Sequence, residues 1–241
     1  MTELATSTDI AHNLDAIRER IRLVAAEAGR QPEAIRLIAA SKYVSPARVR
    51  QALVAGQRCF GESTVQEART KQALIAEPSS EWHFIGHLQT NKAKYIPGNF
   101  SWLHTLDDLK LAHRLAERAT RSGTLLNVLL QVNIAADPDK YGLPANAIFR
   151  FVEALLAAEI TGLRLRGLMT IGRRRASPAE RRRDFSGLRE LGGACAARFG
   201  PERFSELSMG MSDDFEAAIA EGATMVRIGS AIFGPGPPPD A

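Results

Sequence analysis

One lysine, Lys42, and two segments near the other end of the chain carry groups that could do chemistry together. Lys42 follows the apolar run 35–41, which is typical of a buried strand. An amine placed where a strand opens into a loop can attack an aldehyde and form a Schiff base. The segments 208–214 and 226–230 supply hydroxyls, glycines and an arginine, which suit a phosphate and a ring. The combination predicts a site for a phosphorylated ring compound held by the lysine.

Arg227 alternates along its predicted strand with Val226 and Ile228, so it should face the opposite side. If those two apolar side chains point to surrounding helices, the guanidinium points into the interior of the fold, where it needs a partner. A pyridine nitrogen would serve, because an arginine that is always charged would keep that nitrogen unprotonated. The alternative is a buried salt bridge to an acid such as Glu62.

The same alternation places Lys42 on one face with Ile38 and Ala40. The small Ala40 would leave room for a ring beneath the amine. Partial burial near Arg227 would lower the pKa of the lysine, which nucleophilic attack requires. The alternative is a lysine that only solvates the rim of the fold.

The segment 208–214 combines hydroxyls with glycine and ends in two acids. Its glycine and Gly229 let backbone N–H groups approach an anion, and Ser208 and Ser230 offer hydroxyl donors. Ser212, followed by two acids, predicts a helix N-cap. Since those acids would repel a phosphate on the helix axis, we expect the anion in the glycine loops. The alternative is an ordinary strand-to-helix turn.

Eight short apolar runs alternate with helical patterns after an initial amphipathic helix that runs from Asp9 to about Gly29. The predicted strands are 35–41, 58–61, 82–85, 101–104, 125–133, 163–171, 204–207 and 225–229. The predicted helices between them are 46–55, 63–76, 90–96, 107–121, 144–158, 178–198 and 212–221. This pattern predicts an α/β fold, a single (β/α)8 TIM-type barrel with an extra N-terminal helix, whose phosphate site would follow strands seven and eight. An open doubly wound sheet is the rival, but no G-x-G-x-x-G follows the first strand.

Composition narrows the class of protein. A formal net charge of +4, 45% hydrophobic and 24% charged residues are ordinary for a globular protein and do not favour nucleic acid. Two cysteines fit a reducing compartment, and no signal peptide or membrane-length run is visible, so we expect a cytoplasmic protein with no membrane partner.

Two other features of the sequence do not predict a site. His83 and His87 do not converge at metal-ligand spacing, so no metal is expected. The arginine runs 173–175 and 181–183 are typical of solvated faces.

Several motifs together carry a resemblance to a known family. They are Ala40-Ser41-Lys42, the run 59–67, the run Trp82–Lys92, the run Arg166–Ile171, and the two C-terminal segments. In order and spacing they resemble the pyridoxal phosphate homeostasis protein family, which is similar to the N-terminal barrel of bacterial alanine racemase. The resemblance covers roughly residue 9 to Gly234. It implies pyridoxal 5'-phosphate (PLP) bound as a Schiff base to Lys42, with Arg227 at the pyridine nitrogen. The other cofactor-binding residues that it implies are Ser208, Met209, Gly210, Gly229 and Ser230.

The resemblance implies a PLP carrier or buffer in vitamin B6 homeostasis, without strong catalytic turnover. Candidate recipients are PLP-dependent apoenzymes, and a monomer is favoured over a dimer. One alternative is an amino acid racemase of the alanine racemase type. A racemase would need a second acid–base group, which in alanine racemase-like enzymes is a tyrosine from a separate domain. None of Tyr43, Tyr95 and Tyr141 lies in a sequence context that suggests it could take that role. The other is a barrel for a different phosphorylated metabolite. We expect a flexible tail over 1–8, the barrel over 9–234 and a Pro-rich tail over 235–241.

Overall fold

The structure is a computed structural model that describes residues 9–173 and 176–235. The predicted tail 1–8 lies outside the described residues, as do all but the first residue of the predicted tail 235–241. Two residues of the first arginine run, 174 and 175, also lie outside them. No helix in the described ranges is both long enough and apolar enough to cross a membrane.

Eight parallel strands close into a ring, which confirms the predicted barrel. In ring order the strands are β1 Arg36–Ala40, β2 Cys59–Glu62, β3 Glu81–Phe84, β4 Trp102–Leu106, β5 Leu126–Asn133, β7 Leu163–Met169, β8 Glu206–Ser208 and β9 Met225–Ile228. The last of them, β9, pairs again with β1. One further short strand, β6 Leu143–Pro144, pairs only with the end of β5 and lies outside the ring.

Helices surround the ring, and the predicted extra helix precedes the first strand. That helix, α1, runs over Ile10–Glu27 and begins at Asp9, whose carboxylate accepts from the N–H groups of Ala11 and His12. It buries a stripe with helical spacing that includes Leu14, Ile17 and Ile21. The others are α2 Pro46–Val54, α3 Val65–Ile75, α4 Leu109–Arg121, α5 Ile148–Ala157, α6 Pro178–Phe199, α7 Phe215–Ala220 and α8 Ser230–Phe233.

Three local predictions were wrong. The segment Thr90–Tyr95 is a 3-10 helix, and the first residues of the predicted helix 144–158 form β6 and a 3-10 turn instead. Ser212 does not cap α7. The carboxylate of Asp214 accepts from the N–H of Met211 at 2.6 Å, so the chain makes a turn first and the helix begins only at Phe215.

The apolar core has two parts. The larger one fills the space between the strands and the helices. The smaller one lies inside the barrel and consists of Ile38, Trp102, Leu129, Met169 and Met225. Polar side chains occupy the rest of the interior, including several that the candidate site uses.

Candidate functional site

Lys42 and the glycine loop Gly229–Ser230 follow two neighbouring parallel strands at the same end of the barrel. In the pairing of β1 with β9, Ala39 lies opposite Ile228. The chains stay close beyond the strands, because a Cβ atom on Gly229 would lie 3.0 Å from the carbonyl oxygen of Ala40. Carboxyl ends of barrel strands are where binding groups gather in this architecture. The geometry therefore brings the amine and the loop to one edge.

The lysine lies in a tight turn rather than in the strand. The N–H of Val44 donates to the carbonyl of Ser41 at 3.0 Å, so Lys42 and Tyr43 are the central residues of the turn. Tyr43 has a φ of +61°, a conformation that disfavours any residue with a Cβ. Lys42 is exposed, whereas the sequence predicted partial burial. Its amine is open to solvent and to other molecules.

A buried ion cluster holds this turn from below. The ammonium of Lys71, which is only 2% exposed, donates to the carbonyl of Ser41 at 2.5 Å. It also contacts the carboxylates of Glu62 at 2.8 Å and Glu67 at 2.5 Å. Glu67 in turn accepts from the N–H of Tyr43 at 2.6 Å. Both neighbours of Lys42 in the chain are therefore fixed by one network.

Glu62 completes the cluster and is fully buried. It accepts from the hydroxyl of Ser41 at 2.5 Å through the same carboxylate oxygen that contacts Lys71. Burial raises the pKa of Glu62, while hydrogen bonds from Lys71 and Ser41 lower it. Lys71 is not among the residues predicted from the sequence. The only signal was its spacing of four residues from Glu67 on a helix, which is usually a surface pattern.

Arg227 points into the barrel, as the alternation predicted, but it does not pair with Glu62. Its guanidinium donates to the Ser208 hydroxyl at 2.6 Å and to the Thr170 carbonyl at 2.9 Å. Burial lowers the pKa of Arg227 to about 10, partly offset by the charge of Asp214. It thus remains charged at neutral pH, and these two contacts use only some of its N–H donors.

Ser208 is placed differently from what the sequence suggested. Its hydroxyl is fully buried between Arg227 and His104, whose Nδ1 lies 2.9 Å away. With both contacts made inside the barrel, this oxygen is not at the glycine loop. The structure therefore gives Ser208 the task of holding Arg227, and the hydroxyl beside the loop is that of Ser212, which accepts from the N–H of Ala231 at 3.4 Å.

The segment after β8 lines the loop mainly with its backbone. Met209 is fully buried in the large core outside the ring, so its side chain does not reach the barrel mouth. Gly210 has a φ of +94°, and a Cβ there would lie 2.6 Å from the Cβ of Ala218. Its carbonyl accepts from the N–H of Arg227 at 3.0 Å, which ties the segment to β9. Gly229 is half-buried, and Ser230, the first residue of α8, is exposed.

Two rings form part of the opposite side of the mouth. His87, after β3, stacks on Tyr141, which precedes β6, with ring centroids 3.7 Å apart and planes within 10°. Both side chains are exposed. β5, which leads to Tyr141, lies four positions from β1 in the ring. His83 is instead buried inside the barrel, so it does not meet His87.

These groups fit a phosphorylated ring aldehyde. Arg227 retains donors for a ring nitrogen, Gly229 lets two backbone segments approach closely at the site, and the hydroxyl of Ser212 lies beside them. Lys42 supplies an accessible amine in the turn that follows the neighbouring strand. The arrangement can bind an anion without a covalent bond and can form one at the lysine.

Comparisons with known proteins agree with this geometry. The family described as "Alanine racemase, N-terminal domain" matches residues 12–237. The pyridoxal phosphate homeostasis protein of Pseudomonas aeruginosa is 45% identical over 93% of this chain and 95% of its own length. That of Escherichia coli K12 is 44% identical over 94% and 96%. The structure of PipY from Synechococcus elongatus PCC7942 with PLP bound is similar with a TM-score of 0.83 and 36% identity, over 93% of this chain and 100% of that one.

Proposed function

This chain belongs to the alanine racemase N-terminal domain family and, within it, to the pyridoxal phosphate homeostasis proteins, and we propose from this membership that it binds PLP and serves vitamin B6 homeostasis. The observation that carries the proposal is that Lys42 and the loop Gly229–Ser230 follow paired strands at one end of the barrel. When bound, PLP supplies an aldehyde for a covalent link to an amine and a ring that withdraws electrons.

Each of the predicted site residues then has a role in binding PLP. Lys42 forms the covalent link, and Arg227 donates to the ring nitrogen and keeps it unprotonated. Gly229 and Ser230 bind the phosphate, together with the hydroxyl of Ser212. The other predicted residues contribute indirectly: Ser208 orients Arg227, and Met209 and Gly210 shape the backbone of the loop.

Exposure of Lys42 supports a carrier rather than a catalyst of sustained turnover. A covalent bond formed at an exposed amine can be reached by water and by the amines of other proteins, which favours exchange of the cofactor. Apoenzymes that need PLP are the proposed recipients. We place this role in a monomer and in the cytoplasm, where a reducing environment suits a chain whose two cysteines are free.

Reduction with borohydride tests the covalent link. Protein incubated with PLP should show a visible absorbance band, and borohydride should leave a stable adduct on the peptide that contains Lys42. Lys42→Ala should lose the adduct but keep weaker binding through the loop, and Lys110→Ala, which changes an exposed lysine on α4, should behave like wild type. An unchanged adduct in Lys42→Ala would move the site elsewhere.

Incubation of the PLP-loaded protein with L- and D-amino acids separates the carrier from the racemase. We expect negligible racemisation, together with transfer of PLP to an apoenzyme that can be followed by the activity regained. Steady turnover of several amino acids would replace the carrier with the racemase. A protein that takes up no PLP at all would refute both functions and leave a barrel for another phosphorylated metabolite.

A further inference from the structure

A chain of polar side chains crosses the barrel interior from Arg227 to the start of β3. Arg227 contacts Ser208 at 2.6 Å, and the Ser208 hydroxyl lies 2.9 Å from Nδ1 of His104. Nε2 of His104 lies 2.9 Å from Nδ1 of His83, and Nε2 of His83 lies 2.8 Å from a carboxylate oxygen of Glu81. We call these five residues the interior relay. Its two charged ends face opposite ends of the barrel, since Glu81 begins β3 and Arg227 is near the end of β9.

With both rings neutral, the Glu81 carboxylate, which can only accept, and the Arg227 guanidinium, which can only donate, together set the direction of the hydrogen bonds in the relay. The Ser208 oxygen accepts from Arg227, and its own hydrogen is directed to Nδ1 of His104. A neutral imidazole that accepts at one nitrogen carries its hydrogen on the other. His104 therefore donates from Nε2 to Nδ1 of His83. His83 in turn donates from Nε2 to Glu81, which as a carboxylate can only accept.

Burial supports the neutral form of both rings. His83 and His104 are fully buried, and burial lowers the pKa of each, that of His104 well below its usual value. Glu81, which is about one-third exposed, has a pKa lowered to about 2 by the hydrogen bond with His83. The far end of the relay is therefore a carboxylate at neutral pH, and each polarised bond strengthens the next.

We propose that His83 and His104 are positioning residues for the cofactor: as neutral rings with hydrogen on Nε2, they connect the Glu81 carboxylate to Ser208 and so fix the orientation of Arg227. This inference rests on the proposed function only in that Arg227 faces the PLP ring. With Nη1 held by Ser208 and Nη2 by the Thr170 carbonyl, the guanidinium plane cannot turn. The remaining N–H donors of the guanidinium then point in one fixed direction.

A cluster of possible metal ligands lies at the Glu81 end of the relay. Donor atoms of Cys59, Glu81 and His83 lie within 4.8 Å of one another, which is close enough for a metal ion. In the relay, however, Nε2 of His83 carries a hydrogen and Nδ1 accepts from His104, so neither nitrogen offers a lone pair there. Arg36 also places a cation 3.5 Å from the same carboxylate. The relay and a metal at this cluster exclude each other.

Nitrogen NMR of the histidine rings tests the relay in protein without PLP. The chain has five histidines, and His83→Gln and His104→Gln assign the two buried ones. We expect both rings to carry hydrogen on Nε2 alone and to be neutral at about pH 7.5. A hydrogen on Nδ1 of either ring, a charged ring, or a shift of the His83 signals on addition of Zn²⁺ would overturn the proposal.

Variants of Glu81 test the connection to the cofactor. Glu81→Gln keeps an acceptor and should preserve both tautomers, whereas Glu81→Leu removes it and should change the His83 signals. In PLP-loaded protein, Glu81→Leu should also shift the absorbance maximum of the cofactor, while Glu81→Gln and the exposed control Glu33→Leu should not. A purely structural relay would lower the unfolding temperature of Glu81→Leu without moving the band. Failure to bind PLP would remove the band in all variants and leave the tautomer result standing.

Discussion

Replacing Lys71 with methionine tests whether the buried ion cluster holds the Lys42 turn. Methionine has a similar shape, so the substitution removes the charge and three hydrogen bonds and leaves no large cavity. Glu62 is then a fully buried carboxylate that retains only the bond from Ser41. Breaking a buried ion pair by removing one partner costs about 3–5 kcal/mol of the free energy of unfolding. Equilibrium unfolding in urea measures it.

The loss should depend on pH. The folded-state pKa of Glu62 is already raised by burial, and without Lys71 it should rise further, because the hydrogen bond from Lys71 lowers it. A carboxyl whose pKa is higher in the folded than in the unfolded state contributes stability at low pH and loses it as pH rises through the folded-state pKa. The deficit of Lys71→Met relative to wild type should thus be larger at about pH 8 than at about pH 5.5.

Two further variants separate the effect of the uncompensated Glu62 charge from the effect of the lysine substitution itself. In Glu62→Gln/Lys71→Met the uncompensated charge is gone while Gln can still accept from Ser41, so roughly 2 kcal/mol should be recovered. Lys110→Met makes the same substitution at an exposed position and should stay within about 0.5 kcal/mol of wild type. A Lys71→Met deficit below about 1 kcal/mol, equal at both pH values, would mean that the cluster does not compensate Glu62.

The strained Tyr43 backbone and the two cysteine thiols can be tested in the same way. Tyr43→Gly should raise the free energy of unfolding, measured in urea, by about 0.5–1 kcal/mol, because Tyr43 has a φ of +61° and is 67% exposed. A loss of stability would show that the tyrosine ring contributes more than its backbone conformation costs. The thiols of Cys59 and Cys195 should react slowly with a thiol reagent at about pH 8 until urea unfolds the chain, because burial raises the pKa of each to about 11; rapid reaction of the folded protein would contradict this.

Periodicity was enough to predict the barrel and the inward direction of Arg227. Strands and helices alternate regularly, and residues two apart in a strand share a face, so Val226 and Ile228 face the helices while Arg227 faces the interior. The common end of Lys42 and Gly229 followed from the architecture, since parallel strands present their carboxyl ends together. These features depend only on patterns within a few residues.

The contacts that the sequence did not predict involve polar groups whose partners are distant in the chain. His104 meets Ser208 across 104 positions, and Lys71 meets Ser41 across 30. No local spacing distinguishes a buried lysine from a surface one, because burial is decided by which strands become neighbours. The Ser212 cap failed for a related reason: Ser212 lies beside Ala231, while Asp214 closes the turn before the helix.

The two sides of the proposed site are supported by networks that share no residue. On the lysine side, Lys71 and its carboxylates fix the backbone of a strained turn but leave the Lys42 amine exposed. On the ring side, the interior relay holds Arg227, which is 5% exposed, from within the barrel. In the proposed carrier, water or another amine would attack the carbon bound to the exposed Lys42 nitrogen and release that amine, a step that involves no residue of the interior relay. Arg227 is already held by Ser208 and Thr170 without a ligand, and a preorganised donor of this kind lowers the entropic cost of binding, as the proposed uptake of PLP would require.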